Sequence, residues 1–207
     1  MYNDNNDGDD KVNKIEEATP KYNRFMTPAE FLEWENEQEQ RYEYVDGEII
    51  PIEAASGNHS AIVVNISGEI HQFLKGKPCM IHSSQLRVSA KSMRSYFYPD
   101  ASIFCQKPES IDISGETYKN PTVIFEVLSP STANYDRDKK KLFYMQIESL
   151  KEYIMIDSKK VEVRIGKRQA DNSWKFETYN SFSDILFIES IEMQIPLKDI
   201  YSRAELQ

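Results

Sequence analysis

A single carboxylate interrupts an otherwise apolar run near the middle of this chain. Glu126 lies within Val123–Leu128, a stretch rich in β-branched and aromatic residues that is bounded by Pro121 and by Ser129-Pro130. Such a run is typical of a strand that is buried on both faces. An ionised carboxylate there costs several kcal/mol unless a cation or a set of hydrogen-bond donors compensates it. The sequence therefore predicts a specific partner for Glu126.

A second carboxylate belongs to another strand-like stretch. Asp100 follows Pro99 within residues 96–105, about 26 residues before Glu126. Two acids on neighbouring core strands suggest a shared divalent metal, and Mg²⁺ or Mn²⁺ are hard cations that prefer oxygen ligands. On these residues alone an ordinary role stays open for both acids. Pro-Asp is common turn chemistry, and Glu126 could pair with an arginine or with backbone donors.

Charge restricts how such a chain could contact nucleic acid. The formal net charge is −9, of which residues 1–20 contribute −4 through six acids and two lysines. An acidic chain does not bind nucleic acid by bulk electrostatics, so contact with DNA would need a local basic patch and a metal. Residues 1–20 are also polar and without periodicity, which predicts a disordered tail before a single domain over residues 21–207.

The remaining composition narrows the class of protein. No apolar stretch approaches the ~18 residues of a membrane span, and the start, MYNDNNDGDD, is unlike a signal peptide, so we expect a cytoplasmic protein without a membrane partner. Cys79 and Cys105 are too few for a disulfide framework and are expected to be reduced and packed in the core. The chain has no Gly-rich phosphate loop, no GxSxG motif and no zinc-ligand spacing.

Local signals predict an α+β or mixed α/β chain with one central sheet. Thr27, Pro28 and Glu30 mark the start of a helix that fades near Gln40, and Asp-Gly at 46–47 predicts a hairpin over residues 42–51. The other predicted elements are helices over 60–74 and 132–149, strands over 80–88, 96–105, 123–128, 152–156, 160–165 and 174–179, and a mixed segment over 185–200.

A lysine near an acid pair can orient a metal-bound water and stabilise developing negative charge. Asp136, Lys140 and Tyr144 are spaced four residues apart and share one face of the helix predicted over 132–149. The usual form of such a site has the lysine two positions after the second acid, where this chain has Leu128. An ordinary i,i+4 ion pair between Asp136 and Lys140, worth ~0.3 kcal/mol, is the alternative explanation.

Six segments occur in order along the chain: MTPAEF (26–31), YEYVDGEI (42–49), YPD (98–100), EVLSPST (126–132), D-x3-K-x3-Y (136–144) and EYI (152–154). Together they resemble the Uma2 family, also called DUF820, of restriction-endonuclease-like proteins in the PD-(D/E)xK nuclease superfamily. The resemblance runs from about residue 26 to 165. Ile154 stands where that family often has Trp, and the family's usual glycine before this segment is replaced.

The resemblance implies a restriction-endonuclease-like fold with a central mixed β-sheet flanked by helices. It implies Asp100 and Glu126 as ligands of Mg²⁺ or Mn²⁺, Lys140 as an active-site lysine displaced onto the following helix, and Glu43 as an additional acid. His59 matches a histidine that the family tends to show at the start of its next helix. A cap or packing role is the alternative for His59.

The function implied by this resemblance is a Mg²⁺/Mn²⁺-dependent endonuclease that hydrolyses DNA phosphodiester bonds, with a homodimer for double-strand cutting. Two alternatives remain open. A nuclease-like domain that no longer cuts could serve as a binding or assembly module, which the acidic charge favours. A metal-dependent hydrolase of a small phosphoester is the other, and a shallow salt dependence of DNA binding would favour it.

Overall fold

The computed structural model describes residues 25–90, 94–112, 115–129 and 135–206. The predicted acidic tail over residues 1–20 and the first residues of the helix predicted over 132–149 lie outside these ranges. In chain order the strands are β1 (Tyr42–Val45), β2 (Glu48–Pro51), β3 (Met80–Ser83), β4 (Arg87–Ala90), β5 (Ser95–Phe97), β6 (Ala101–Phe104), β7 (Thr117–Tyr118), β8 (Val123–Leu128), β9 (Glu152–Asp157), β10 (Val163–Arg168), β11 (Trp174–Tyr179), β12 (Ile185–Ile188) and β13 (Met193–Pro196).

Helices are fewer and mostly short. They are α1 (Pro28–Glu35), α2 (Gly57–Leu74), α3 (Lys141–Tyr144) and α4 (Leu197–Ile200), with a π-helical segment (Tyr135–Lys140) leading into α3 and a 3₁₀ turn (Glu189–Ile191) after β12. The prediction of an α+β chain is confirmed.

The described strands form two sheets and a separate hairpin. The first sheet has the order β2-β1-β5-β4-β7, and the larger, mixed sheet has the order β11-β10-β9-β8-β6-β3, with β8 and β9 parallel. Strands β12 and β13 pair with each other.

The larger sheet is the central layer of the molecule. One of its faces packs against α2, through a cluster that includes Ile62, Ile66, Ile103, Phe125 and Val127. The other face packs against the first sheet and α3, through a cluster that includes Val88, Phe97, Ile124, Tyr144 and Tyr153. Strand β8 is therefore covered on both faces, as the apolar run predicts, and Glu126 is buried within it.

Predictions that rest on a local signal are confirmed. The Thr27 hydroxyl accepts a hydrogen bond from the Glu30 amide at 3.3 Å, and the Glu30 carboxylate accepts one from the Thr27 amide at 2.8 Å, so the capping box starts α1 as expected. Asp46 and Gly47 both have positive φ, at 48° and 103°, which matches the tight turn predicted between β1 and β2.

Three element predictions need correction. The predicted strands over 80–88 and 96–105 are each two strands that belong to different sheets, with a turn between β3 and β4 and Pro99-Asp100 between β5 and β6. The helix predicted over 132–149 ends at Tyr144 rather than at Ser149, and its described first part is π-helical. The central sheet is accompanied by a second sheet. The sequence pattern does not reveal it, because a strand shows the same apolar alternation in either sheet.

The prediction that Cys79 and Cys105 are reduced is wrong for this structure, where they form a disulfide. Met80 of β3 lies opposite Phe104 of β6 in an antiparallel pair, so the next pair along this register is Cys79 and Cys105. Their Cα atoms are 3.9 Å apart. Strand register, which cysteine spacing does not report, brings them together.

Candidate active site

The Lys140 side chain is buried among three carboxylates. Its Nζ atom lies 2.7 Å from Glu43 Oε1, 3.1 Å from Glu126 Oε1 and 3.4 Å from Asp136 Oδ1. All four residues are at most 6% exposed. Lys140 is thus the partner that the buried position of Glu126 requires.

These four residues come from separate parts of the fold. Glu43 lies on β1 of the first sheet, Glu126 lies on β8 of the central sheet, and Asp136 and Lys140 lie on the π-helical segment. Tyr144 of α3 completes the arrangement, because its hydroxyl donates to Glu126 Oε1 at 2.9 Å. The predicted shared face of Asp136, Lys140 and Tyr144 is confirmed, since all three are buried beside Glu126 or Lys140.

Asp100 lies beside this cluster, immediately before the adjacent strand β6. Ala101 of β6 pairs with Phe125 of β8, so the next pair in that register is Asp100 and Glu126. Asp100 Oδ2 accepts a hydrogen bond from the Val127 amide at 2.7 Å and lies 3.2 Å from His59 Nε2. The structure therefore brings together all five residues predicted from sequence, with Asp100 and His59 forming a pair next to the ion pairs of Lys140.

Burial and like charge make Glu126 costly to ionise. Burial raises the pKa of Glu126 well above its ordinary value, Lys140 opposes this effect, and Asp136, Asp100 and Glu43 raise the pKa further. Burial likewise raises the pKa of Glu43, despite its contact with Lys140. Burial alone would lower the pKa of Lys140, but Glu126, Glu43 and Asp136 raise it well above its ordinary value, so Lys140 stays protonated at neutral pH.

His59 is positioned by the start of α2. The Ser56 hydroxyl caps this helix by accepting from the His59 amide, which leaves the imidazole directed at Asp100. Burial lowers the pKa of His59, but the hydrogen bond and charge of Asp100 outweigh burial and raise the pKa above 6.5. Asp100 therefore favours the protonated, positively charged form of His59.

The donor set fits a hard divalent cation. Glu126 offers carboxylate oxygens from β8, and Asp100 offers them from the residue that precedes the adjacent strand β6. Four carboxylates face two cations, Lys140 and His59, so negative charge is in excess when all four carboxylates are ionised. Within the described ranges, no group of three or more His, Cys, Asp and Glu side chains is already gathered around a common metal position. The Lys140 ammonium lies at the centre of the carboxylates instead.

Sequence reasoning gave no role to two contributors to this site. The helical spacing indicates Asp136 only as the partner of an i,i+4 ion pair with Lys140. In the structure its burial makes it part of the carboxylate cluster. Tyr98 connects two buried networks: its amide donates to Glu43 Oε1 at 3.4 Å, and its hydroxyl donates to Glu35 Oε1 at 2.9 Å. The D-x3-K-x3-Y spacing is the signal that could have identified Asp136.

Comparisons with known proteins identify the family of this chain. The chain matches the model of the Uma2 family, described as "Putative restriction endonuclease", over residues 28–198. Two uncharacterised proteins of Synechocystis sp., slr1290 and sll1609, are each 34% identical to it. The first alignment covers 85% of this chain and 91% of the relative, and the second covers 73% and 85%.

A solved structure shares the fold. It is a crystal structure from Anabaena variabilis described as "a putative nuclease belonging to DUF820", with a TM-score of 0.71 and 23% identity. The match covers 86% of this chain and 98% of that one. The fold that the sequence resemblance implies is thereby confirmed. No helix among the described residues is long and apolar enough to cross a membrane.

Proposed function

Because the chain belongs to the Uma2 family, we propose that it is a metal-dependent endonuclease that hydrolyses phosphodiester bonds in DNA. The observation that carries this proposal is the buried Lys140 ammonium between Glu43 and Glu126, with Asp100 immediately before the adjacent strand β6. A cytoplasmic location, which gives access to DNA, and a homodimer that cuts both strands are parts of the same proposal.

Asp100 and Glu126 are the residues that would hold Mg²⁺ or Mn²⁺. The bound ion would polarise the scissile phosphate and lower the pKa of a water molecule at the site. His59 holds Asp100 through its Nε2 atom, and Tyr144 holds Glu126 through its hydroxyl. These two contacts fix the orientation of both carboxylates.

Lys140 acts as a protonated group. Since its carboxylate neighbours raise its pKa, it cannot serve as a general base near neutral pH. Its ammonium instead orients the attacking water and stabilises the negative charge that develops on the phosphate. Glu43, whose pKa is raised by burial, is a neighbouring carboxylate that binds a proton more readily than an exposed one, and it also positions Lys140.

The test is DNA cleavage in Mn²⁺ or Mg²⁺, combined with calorimetric measurement of Mn²⁺ binding. We expect the wild-type protein to cleave, and Asp100→Asn and Glu126→Gln to lose cleavage and Mn²⁺ binding while remaining folded. Lys140→Gln should keep metal binding but lose about 10²-fold or more in rate. Asp138→Asn is the control, because Asp138 is an exposed acid on the same helical segment. Full activity of Asp100→Asn would contradict the site.

A second candidate function is supported by the internal pairing of the acids. Lys140 already neutralises part of the charge on Glu43, Glu126 and Asp136, as expected for a nuclease-like domain that only binds a partner. In that case the wild-type protein and Glu126→Gln would bind Mn²⁺ equally weakly, and neither would cleave DNA. Calorimetry on these two proteins separates the candidates.

A further inference from the structure

An aromatic ring near the candidate site supports two cations on the surface of the central sheet. The Phe176 ring centroid of β11 lies 4.7 Å from Arg164 Cζ of β10 and 5.6 Å from Lys141 Nζ of α3. We propose that these three residues, here termed the Phe176 surface, bind the phosphate backbone of the nucleic acid that enters the site. This inference rests on the proposed function and adds where its substrate runs.

The position of Phe176 is fixed by a glycine on the neighbouring strand. Gly166 pairs with Phe176, and a Cβ atom at Gly166 would lie 2.5 Å from Phe176 Cε1. No other residue therefore fits beneath the ring where it lies, and the ring rests on the backbone of β10. The two cations consequently share a rigid support rather than depending on flexible side chains alone.

Neither cation is neutralised by the protein. Within the described residues, no carboxylate lies within 4.0 Å of the charged group of Arg164 or of Lys141. Two neighbours differ in this respect. Arg168 donates to the carbonyls of Leu150, Met145 and Ile147, and Lys175, on the opposite face of β11, pairs with Glu177 at 3.0 Å. Arg164 and Lys141 therefore keep donors for an external anion.

The Phe176 surface lies on the same face of the sheet as the candidate site. Glu126 pairs with Met155 and Met155 pairs with Arg164, so the three residues form one row across β8, β9 and β10. With strands about 4.8 Å apart, the Cα atoms of Arg164 and Glu126 are about 10 Å apart. At about 3.4 Å per nucleotide, a separation of this size corresponds to about three nucleotides.

The net negative charge of the whole chain makes any local group of unpaired cations important for binding a polyanion. A chain with a formal net charge of −9 does not attract a polyanion by its overall charge, so attraction must come from cations that its own acids do not neutralise. The Arg164 guanidinium offers a planar set of donors suited to phosphate oxygens, and Lys141 adds a second charge beside it.

The experiment measures DNA binding without cleavage. Fluorescence anisotropy with a labelled duplex in EDTA compares the wild-type protein with the double variant Arg164→Gln/Lys141→Gln over a range of salt concentrations. We expect the double variant to bind more weakly, with a salt slope lower by about 1 for each cation that contacts a phosphate. The control is Lys175→Gln/Lys198→Gln, which removes equal charge from the other face of β11 and from α4, and it should bind as the wild-type protein does.

Unchanged affinity and slope in the double variant would overturn the proposal, as would an equal loss in the control. Circular dichroism of all three proteins shows whether the variants fold. The test remains separate from that of cleavage. If the wild-type protein cleaves DNA in Mn²⁺ but the double variant binds normally, the proposed endonuclease function is supported and the proposed role of the Phe176 surface is contradicted. If the wild-type protein never cleaves but the double variant loses binding, the surface stands as a contact of a silent module.

Discussion

At the scale of single residues, stability and the proposed function make opposite demands on Glu126: stability favours a neutral side chain, whereas metal binding needs an ionised carboxylate. Its carboxylate is buried, and Asp136, Asp100 and Glu43 add negative charge around it. A raised carboxyl pKa means that the folded state binds the proton more tightly than the unfolded chain. Stability associated with this group is therefore largest at low pH and falls as pH rises from about 4.5 through the raised pKa. A residue selected for stability alone would be neutral here.

We therefore predict that Glu126→Gln stabilises the metal-free protein at neutral pH. The amide keeps an oxygen for Tyr144 and Lys140 but removes the excess charge. The free energy of unfolding should rise by about 1 kcal/mol or more, since one pKa unit corresponds to about 1.4 kcal/mol. Urea denaturation in EDTA at neutral pH measures it.

Glu152→Gln provides a matched control with the opposite expected sign. Glu152 is a buried acid on the adjacent strand, but its two oxygens accept hydrogen bonds from the amides of Glu189 and Ser190 at 2.8 and 2.9 Å. Replacing one oxygen with an amide group leaves a donor unpaired, which costs about 1–3 kcal/mol. If both variants were destabilised alike, the excess of charge around Glu126 would not be the dominant effect.

His82 gives a prediction about pH. Burial lowers its pKa below 6.5, and its Nε2 atom is buried without a hydrogen-bond partner among the described residues. Because the folded state favours the neutral ring, its stabilising contribution is present above pH 6.5 and is lost as pH falls through 6.5 to the lowered pKa. His59, with a raised pKa, contributes in the opposite direction.

His82→Phe should therefore reduce the loss of stability between about pH 7 and pH 5. The phenyl ring can keep the edge contact with Phe104 and the stacking on Tyr118. Urea denaturation at several pH values measures the effect. An unchanged pH profile in this variant would show that His82 is not titrating in the folded protein.

At the scale of elements, buried ion pairs join helices and strands whose contact the hydrophobic pattern of the sequence does not predict. Arg87 of β4 is fully buried, and it donates to Glu35 Oε2 of α1 at 2.6 Å and to Thr117 Oγ1 of β7 at 2.9 Å. Tyr98 also donates to Glu35. Helix α1 is thus fastened to the first sheet by charge as well as by the stacking of Phe31 on Tyr44 and Tyr96.

We predict that Glu35→Leu and Arg87→Met each cost about 3–5 kcal/mol, because each leaves a buried charge without its main partner. The double variant should lose much less than the sum, as a double-mutant cycle by urea denaturation would show. Lys160 and Glu162, an exposed pair at 2.8 Å, form the control cycle, with an expected coupling of about 0–1 kcal/mol. Additive losses for the buried pair would contradict the assignment.

The elements that could be predicted are those that local chemistry determines. The Thr27 capping box and the Asp46-Gly47 turn need only neighbouring residues, and both are confirmed. The division of residues 80–88 and 96–105 between two sheets depends on distant partners, and an apolar alternation looks the same in either sheet. The burial of Arg87 also depends on a distant residue. No residue near Arg87 in the sequence indicates that Glu35, 52 residues earlier, neutralises its charge.

At the scale of the whole molecule, the candidate site lies where the layers meet. Glu43 comes from the first sheet, Asp100 and Glu126 from the central sheet, and Lys140 from the helical segment after β8. The sequence could indicate these residues as a set through their motif spacing, but it could not show that Lys140 contacts Glu43 and Glu126 together. That contact depends on how the two sheets pack.

A site that joins the layers should couple metal binding to the stability of the whole fold. A ligand that binds only the folded state adds RT ln(1 + [L]/Kd), about 2.7 kcal/mol at 100 times Kd. We predict that Mn²⁺ raises the melting temperature in a saturable way and that EDTA reverses the rise. Glu126→Gln should start from higher stability yet gain nothing from Mn²⁺, whereas Asp138→Asn should gain as the wild-type protein does. Equal gains in all three proteins would place the metal elsewhere, because the excess negative charge around Glu126 is what the ion is expected to offset.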